Sequence, residues 1–198
     1  MLNPISTIIL RISKVISNFF NPLISLLIYF IYYSSLNYTL RETATIFLPI
    51  FLLIMMPIIV WIYWNVKKGK YTNADVSDRN QRKGLYFFIE AAILLYILYQ
   101  YFINHAVDFV ILCLLILFIV MQISNYFIKS SMHTAFNVFV AALFFSVNVY
   151  FGIIWLGIAI MVGCTRIILK RHTFKEVFFG ATIATFISFI YLYTTIQQ

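Results

Sequence analysis

The sequence is poor in the residues on which soluble proteins depend for surface and for cross-links. Of its 198 residues only 10% are charged, with 6 acidic against 14 basic side chains, and it has 2 cysteines, 4 prolines and 6 glycines. Cys113 and Cys164 both lie within apolar runs, which excludes a disulfide framework or a CxxC site and predicts two small core residues. The low charge excludes a soluble domain, and no nucleic-acid motif accompanies the basic residues, so we expect no nucleic-acid partner.

Apolar residues dominate instead. Hydrophobic side chains make up 63% of the chain and aromatic ones 19%, and the mean hydropathy is +0.96. Because a helical span needs roughly 20 apolar residues, the length allows about six or seven spans and no separate soluble domain. The sequence therefore predicts an all-α, polytopic transmembrane helical bundle that forms a single integral membrane domain over residues 1–198.

The first residues show an amphipathic pattern. Between Ile5 and Ser17, apolar residues surround Arg11 and Lys14, which predicts a helix on the membrane surface and not a removable signal peptide. Gly152 is predicted to turn the chain between the fifth and sixth spans. The spans are expected at about residues 19–36, 44–64, 85–103, 107–127, 134–151, 152–169 and 174–194.

Three polar segments interrupt the apolar runs, at residues 65–83, 129–134 and 166–176. An even number of predicted spans separates them, so all three face the same side of the membrane. Lysine and arginine concentrate on that side, whereas Arg41 alone lies opposite. The positive-inside rule then predicts that the segments face the cytoplasm. We expect the protein in the inner (cytoplasmic) membrane of a bacterium, with membrane lipids as partners.

Two of the segments carry residues suited to phosphate chemistry. Ser131 can cap the following helix, whose first backbone N–H groups favour anions. His133 lies in that first turn, where it either transfers a proton or simply lies at the membrane interface. Arg166 precedes His172 by six positions, and a guanidinium group neutralises phosphate oxygens while an imidazole attacks phosphorus or moves a proton.

Glu176 follows His172 by four residues. If a helix begins there, the carboxylate shares a face with the imidazole and can orient it. Thr173 and Glu176 also fit a capping box, so capping the helix is the alternative role for this glutamate.

Together the segments resemble the three signature motifs of the type 2 phosphatidic acid phosphatase (PAP2) family, KxxxxxxRP, PSGH and SRxxxxxHxxxD. The third motif is matched in spacing by Arg166, His172 and Glu176, with Thr165 for its serine and glutamate for its aspartate. The resemblance covers about residues 75–176.

The other two motifs match in part. Residues 130–133 match the second motif at its serine and at His133, while Met132 replaces its glycine. The first motif is matched only at Arg82, and Asp75 stands in place of its lysine. Either Arg79, Lys83 or another basic residue then supplies the missing cation, or the phosphate site is weakened.

The resemblance implies a membrane phosphatase that needs no metal and no cofactor and hydrolyses a lipid phosphate or an isoprenoid (polyprenyl) diphosphate. It implies that His172 is the nucleophile, forming a phosphohistidine, and that Glu176 orients it. His133 would protonate the leaving group and then activate water. Arg166, Arg82 and Ser131 would bind the phosphoryl oxygens.

Two alternatives stay open, and the sequence leaves the oligomeric state undetermined. Asp75 and Met132 favour a catalytically impaired protein that binds lipid phosphate. Residues 73–79 resemble the aspartate-rich, magnesium-binding segment of intramembrane prenyltransferases, although the chain has no second such segment. Glu90, inside the third predicted span, is expected either to pair with a motif basic residue or to face a wet cavity that supports the site. Asn125, Asn137, Asn148 and Gln100 are expected to form hydrogen bonds between helices and not to bind a ligand.

Overall fold

The computed structural model describes residues 4–197, and within this range the chain is helical and contains no strand, which confirms the all-α prediction. The elements are α1 (Pro4–Phe19), α2 (Pro22–Asn37), α3 (Leu40–Ile50), a π-helical turn (Phe51–Met55), α4 (Met56–Lys67), α5 (Arg79–Asn104), α6 (Phe109–Ser124), α7 (Met132–Val147), α8 (Val149–Ile168) and α9 (Phe174–Ile196).

Four stretches are long and apolar enough to cross a membrane: Leu40–Lys67, which joins α3 to α4, together with α5, α8 and α9. Helices α1 and α2 meet at a bend of 55° and pass the same test only as a pair, so the described residues provide up to 5 spans by length and composition. Helices α6 and α7 are apolar but have 16 residues each. Membrane-spanning helices are thus supported, whereas the count of six or seven stays a prediction.

The chain divides into two compact units, which we describe separately. Unit 1 comprises Met1–Tyr33 and Ile128–Gln198, and unit 2 comprises Ser34–Phe127. In unit 1, α7 is the central helix, because it packs against both α8 and α9 while α1 packs against α8. Phe136, Phe139 and Leu143 of α7 are completely buried as a result.

Asn137 ties four parts of unit 1 together, which confirms its predicted role. Its Oδ1 accepts hydrogen bonds from Ser25 Oγ at 3.0 Å and from Trp155 Nε1 at 3.2 Å. Its Nδ2 donates to the carbonyl oxygens of Phe20 at 2.9 Å and of His133 at 2.8 Å. A buried amide with every polar atom engaged fixes the first turn of α7 relative to α2 and α8.

The turn between α7 and α8 lies at Asn148, so the prediction of a turn at Gly152 was wrong. Asn148 is extended, with φ −154° and ψ 115°, and its side-chain oxygen caps α8 by accepting from the Tyr150 and Phe151 amides. Gly152 is buried inside α8, where it accommodates the ring of Phe145. Asn148 thus ends α7 and begins α8 four residues before Gly152, and its side chain caps a helix where hydrogen bonds between helices were predicted.

In unit 2, α5 packs against α4, the π-helical turn and α6. It begins at Arg79, earlier than the predicted end of the polar loop at Lys83, because Asp78 Oδ1 accepts hydrogen bonds from the Asn80 and Gln81 amides at 2.9 and 3.1 Å. The polar segment that remains is therefore residues 68–78.

The two cysteines differ in burial. Cys113 is buried, as predicted, whereas Cys164 is exposed. The prediction of a core residue was wrong for Cys164 because its neighbours Gly163 and Thr165 occupy the packed face of α8.

Candidate functional site

The turn between α8 and α9 positions His172. The carbonyl oxygen of Arg166 accepts hydrogen bonds from the Arg171 amide at 3.0 Å and from the His172 amide at 3.3 Å. Lys170 lies in the left-handed region, with φ 52°, which reverses the chain at the end of α8. The His172 side chain, which follows, is completely shielded from solvent.

The expected contact between His172 and Glu176 is present, and so is the capping box. His172 Nδ1 lies 2.9 Å from Glu176 Oε2. The same oxygen accepts from the Thr173 amide at 3.1 Å, while Thr173 Oγ1 accepts from the Glu176 amide at 3.3 Å. The two roles predicted as alternatives therefore coexist, since the cap holds the carboxylate where the imidazole meets it.

Ser131 joins the second polar segment to the third. Its backbone amide donates to the carbonyl oxygen of Glu176 at 2.9 Å. Its Oγ caps α7 by accepting from the Thr134 amide at 3.4 Å and from Thr134 Oγ1 at 3.0 Å. Those bonds use the two lone pairs of the oxygen, so the hydroxyl hydrogen is what Ser131 can donate to a ligand. These two segments lie at the same end of α7 and α9, in agreement with the even number of predicted spans between them.

Two glycines allow this close packing, and sequence reasoning missed both. A Cβ on Gly180 of α9 would lie 2.7 Å from the carbonyl oxygen and 3.0 Å from the amide nitrogen of Ser131. A Cβ on Gly163 of α8 would lie 3.0 Å from Val177 Cγ1. Glycine occurs where backbones approach this closely, but no sequence pattern distinguished these two from the chain's other glycines.

Lys129 is a further basic group here that the motifs did not identify. Its Nζ donates to the carbonyl oxygen of Arg171 at 3.0 Å and lies 4.0 Å from Glu176 Oε2. The available signal was its position directly before Ser130, at the start of the second motif. It places a positive charge beside the carboxylate that contacts His172.

Arg166 and His133 complete the predicted residues of unit 1. Arg166 is 2% exposed, and its Nη1 donates to Ser17 Oγ of α1 at 2.9 Å. His133 lies half buried in the first turn of α7. Asn137 holds its carbonyl oxygen, which fixes the backbone from which the imidazole extends.

The remaining predicted residues belong to unit 2. The buried Arg82 donates from Nε to the carbonyl oxygen of Val76 at 2.9 Å. Arg79 donates from Nε to the carbonyl oxygen of Asn125 at 2.7 Å, and Asn125 Nδ2 donates back to that of Arg79 at 3.1 Å. Both arginines are thus oriented by backbone oxygens of their own unit.

Three other residues named in the sequence analysis, Lys83, Asp75 and Glu90, also lie in unit 2. Lys83 is exposed, with its Nζ 5.3 Å from the centre of the Tyr126 ring. Asp75 is half buried in the 68–78 segment. Glu90 lies two helical turns after Arg82, and its shielded Oε1 makes no hydrogen bond within the described range.

Unit 1 therefore gathers an imidazole with a carboxylate partner, a capping serine and a nearby ammonium group, an arrangement suited to nucleophilic or proton-transfer chemistry. Among residues 4–197 no three or more histidine, cysteine or acidic side chains cluster closely enough to hold a metal ion. Comparison of the chain with protein-family models, with characterised proteins and with solved structures finds no match.

Proposed function

We propose that this chain is a membrane phosphatase of the PAP2 type that hydrolyses a lipid phosphate or an isoprenoid diphosphate. The observation that carries the proposal is the 2.9 Å contact between His172 Nδ1 and Glu176 Oε2. A carboxylate that accepts the Nδ1 hydrogen leaves the lone pair of the neutral ring on Nε2, the atom that must attack phosphorus.

In the first step, the Nε2 lone pair of His172 attacks phosphorus as the bond to the leaving oxygen breaks, and protonated His133 gives that oxygen its proton. In the second, His133 takes a proton from water while the water oxygen attacks phosphorus and the N–P bond breaks. Inorganic phosphate leaves and both histidines return to their initial states. Glu176 stabilises the positive charge on the phosphorylated ring.

Cations and hydroxyl groups stabilise the charge that develops on the phosphoryl oxygens. Arg166 and Ser131 supply them from the elements that carry His172 and His133. The motif resemblance adds Arg82 to these groups, with Arg79 or Lys83 for the lysine in whose place Asp75 stands. Lys129 adds a cation that the motif comparison did not include.

The membrane placement is part of the proposal. A substrate with a lipid tail would keep the tail among the apolar helices and present its phosphate at the interface. Helix α1 would lie at that interface, since Ile8, Ile12 and Val15 are exposed on it. The motif side would face the cytoplasm of a bacterium, as the positive-inside rule indicates.

The decisive assay is phosphate release by purified protein in detergent without divalent metal, from a panel of lipid phosphates and polyprenyl diphosphates. His172→Ala should abolish release, and His133→Ala should reduce it by about 10²- to 10⁴-fold, the usual contribution of a general acid–base group. His105→Asn is the control, because His105 is an exposed helix cap at φ 52°, a conformation that asparagine tolerates. Equal release by all four proteins refutes the proposal.

A protein that binds lipid phosphate without turnover is the second candidate, and two departures from the motifs favour it: Asp75 stands in place of a lysine and Met132 in place of a glycine. For either candidate, a lipid phosphate must displace neighbouring groups to reach the site, since the His172 side chain is 0% exposed and Arg166 is 2% exposed. Mass spectrometry after rapid acid-free quenching distinguishes the two candidates. Phosphorylated His172 would exclude the binding role, whereas saturable binding of lipid phosphate with unmodified His172 would establish it.

The magnesium-dependent prenyltransferase gains no support. Asp78, the second aspartate of the segment on which it rests, uses Oδ1 to cap α5. Those two hydrogen bonds give the residue a structural role. Prenyl transfer dependent on magnesium in the same purified protein would reverse this conclusion.

A further inference from the structure

Helix α1 turns a serine face inward. Ser13 and Ser17 lie one helical turn apart and are 4% and 1% exposed, whereas Ile8, Ile12 and Val15 are exposed. The inward face packs against α8, the helix that carries Arg166. In apolar surroundings, buried serines are favoured where they hydrogen-bond to a neighbouring helix.

Ser17 meets the side chain of Arg166. Its Oγ accepts a hydrogen bond from Arg166 Nη1 at 2.9 Å, and both residues are buried. Because the guanidinium group is planar and rigid, fixing one of its nitrogens also fixes the directions of its other N–H donors. The backbone of the same arginine holds His172, through the bond from the His172 amide to the Arg166 carbonyl oxygen.

We propose that Ser17 is a positioning residue that orients Arg166 to bind a tetrahedral oxyanion. A role of Ser17 in catalysis rests on the proposed phosphatase function, whereas its role in oxyanion binding by Arg166 does not. Helix α1 is then part of the phosphate site as well as a membrane anchor. Without the Ser17 hydroxyl, the arginine keeps its charge but loses the orientation that makes two parallel bonds to an oxyanion possible.

Binding of orthovanadate, a phosphate analogue, tests this directly when it is measured as protection of the purified protein against thermal unfolding, a readout that does not require a reagent to reach the buried Arg166. The proteins compared are the wild type, Ser17→Ala, Ser17→Thr, Ser13→Ala and His172→Ala, all in detergent. Ser13 is the matched control, because it is buried on the same face of α1 one turn earlier. Phosphate release from a lipid phosphate is measured on the same samples.

Vanadate should protect the wild type, Ser17→Thr and Ser13→Ala against unfolding. In Ser17→Ala, the vanadate concentration needed for the same protection should rise by about 10-fold or more, the effect of losing a hydrogen bond to a charged group. Absence of protection in the wild type, or equal protection in Ser17→Ala, overturns the inference. If the wild type releases no more phosphate than His172→Ala while the protection pattern is as expected, the phosphatase proposal fails and the role of Ser17 stands.

Discussion

Replacing Gly180 with alanine tests whether the close approach of α9 to Ser131 builds the site. The added Cβ would lie 2.7 Å from the Ser131 carbonyl oxygen, whereas ordinary contacts begin at 3.4 Å, so the two backbones must separate by about 0.7 Å. Overpacking of this kind costs about 1–3 kcal/mol. The better helix propensity of alanine returns only about 0.5–1 kcal/mol, so a net loss of stability is expected.

The same displacement should reduce activity. It stretches the bond from the Ser131 amide to the Glu176 carbonyl oxygen, which is 2.9 Å long. Because a misplacement near 1 Å can cost about 100-fold in rate, we expect phosphate release to fall by about 10- to 100-fold. Thermal unfolding in detergent and phosphate release would be measured on the same preparations.

Gly157→Ala is the matched control. Gly157 lies within α8, and a Cβ there meets nothing within 4 Å. Alanine should therefore leave activity unchanged and stabilise the helix by up to about 0.5–1 kcal/mol. If Gly180→Ala melts at the same temperature as Gly157→Ala and is as active, the reasoning about the close approach is refuted.

Three further substitutions separate the roles of other side chains. Glu176→Gln keeps a residue suited to the capping box but removes the charge beside His172. Phosphate release should therefore fall by about 10- to 150-fold while the melting temperature changes little. A lower melting temperature that accompanies the loss of release would indicate that Glu176 acts only as a cap. Lys129→Gln should reduce release by no more than about fivefold, because the ion pair with Glu176 is long and partly exposed, and the exposed Lys175→Gln should match the wild type. Asn137→Leu should destabilise the protein by about 2–5 kcal/mol, measured by thermal unfolding, because four hydrogen-bonding partners lose their shared amide; wild-type stability would contradict the role given to that amide.

Local chemistry made part of the site predictable. His172 and Glu176 are four residues apart at the start of α9, so helix geometry alone brings them together once Thr173 caps the helix. Ser131 was predicted as a cap for the same kind of reason. The even number of predicted spans between the two segments predicted that they share a side of the membrane, but not the contact between Ser131 and Glu176.

Other features depended on contacts distant in sequence. Ser17 and Arg166 are separated by 149 residues, and a serine on an amphipathic pattern is ordinarily assigned to the polar, exposed face. In α1 the apolar face is exposed and the serines are buried. The periodicity of the sequence shows that the helix has two different faces, but it does not show which face packs against the protein. The misplaced turn at Gly152 has a local cause: a glycine was preferred over Asn148, although asparagine is the stronger helix cap.

Glu176 shows why its two predicted roles are not competitors. One of its oxygens caps α9, contacts His172 and lies near Lys129, while its backbone carbonyl accepts from Ser131. A carboxylate that only capped the helix would be held in one orientation by the Thr173 amide and would need no imidazole partner. A carboxylate that only oriented the imidazole would need another group to hold it in place. Here the cap supplies the rigidity that the orientation requires. The start of α9 therefore sets the position of His172 and of Ser131 together, so that a shift of this one helix end alters both at once.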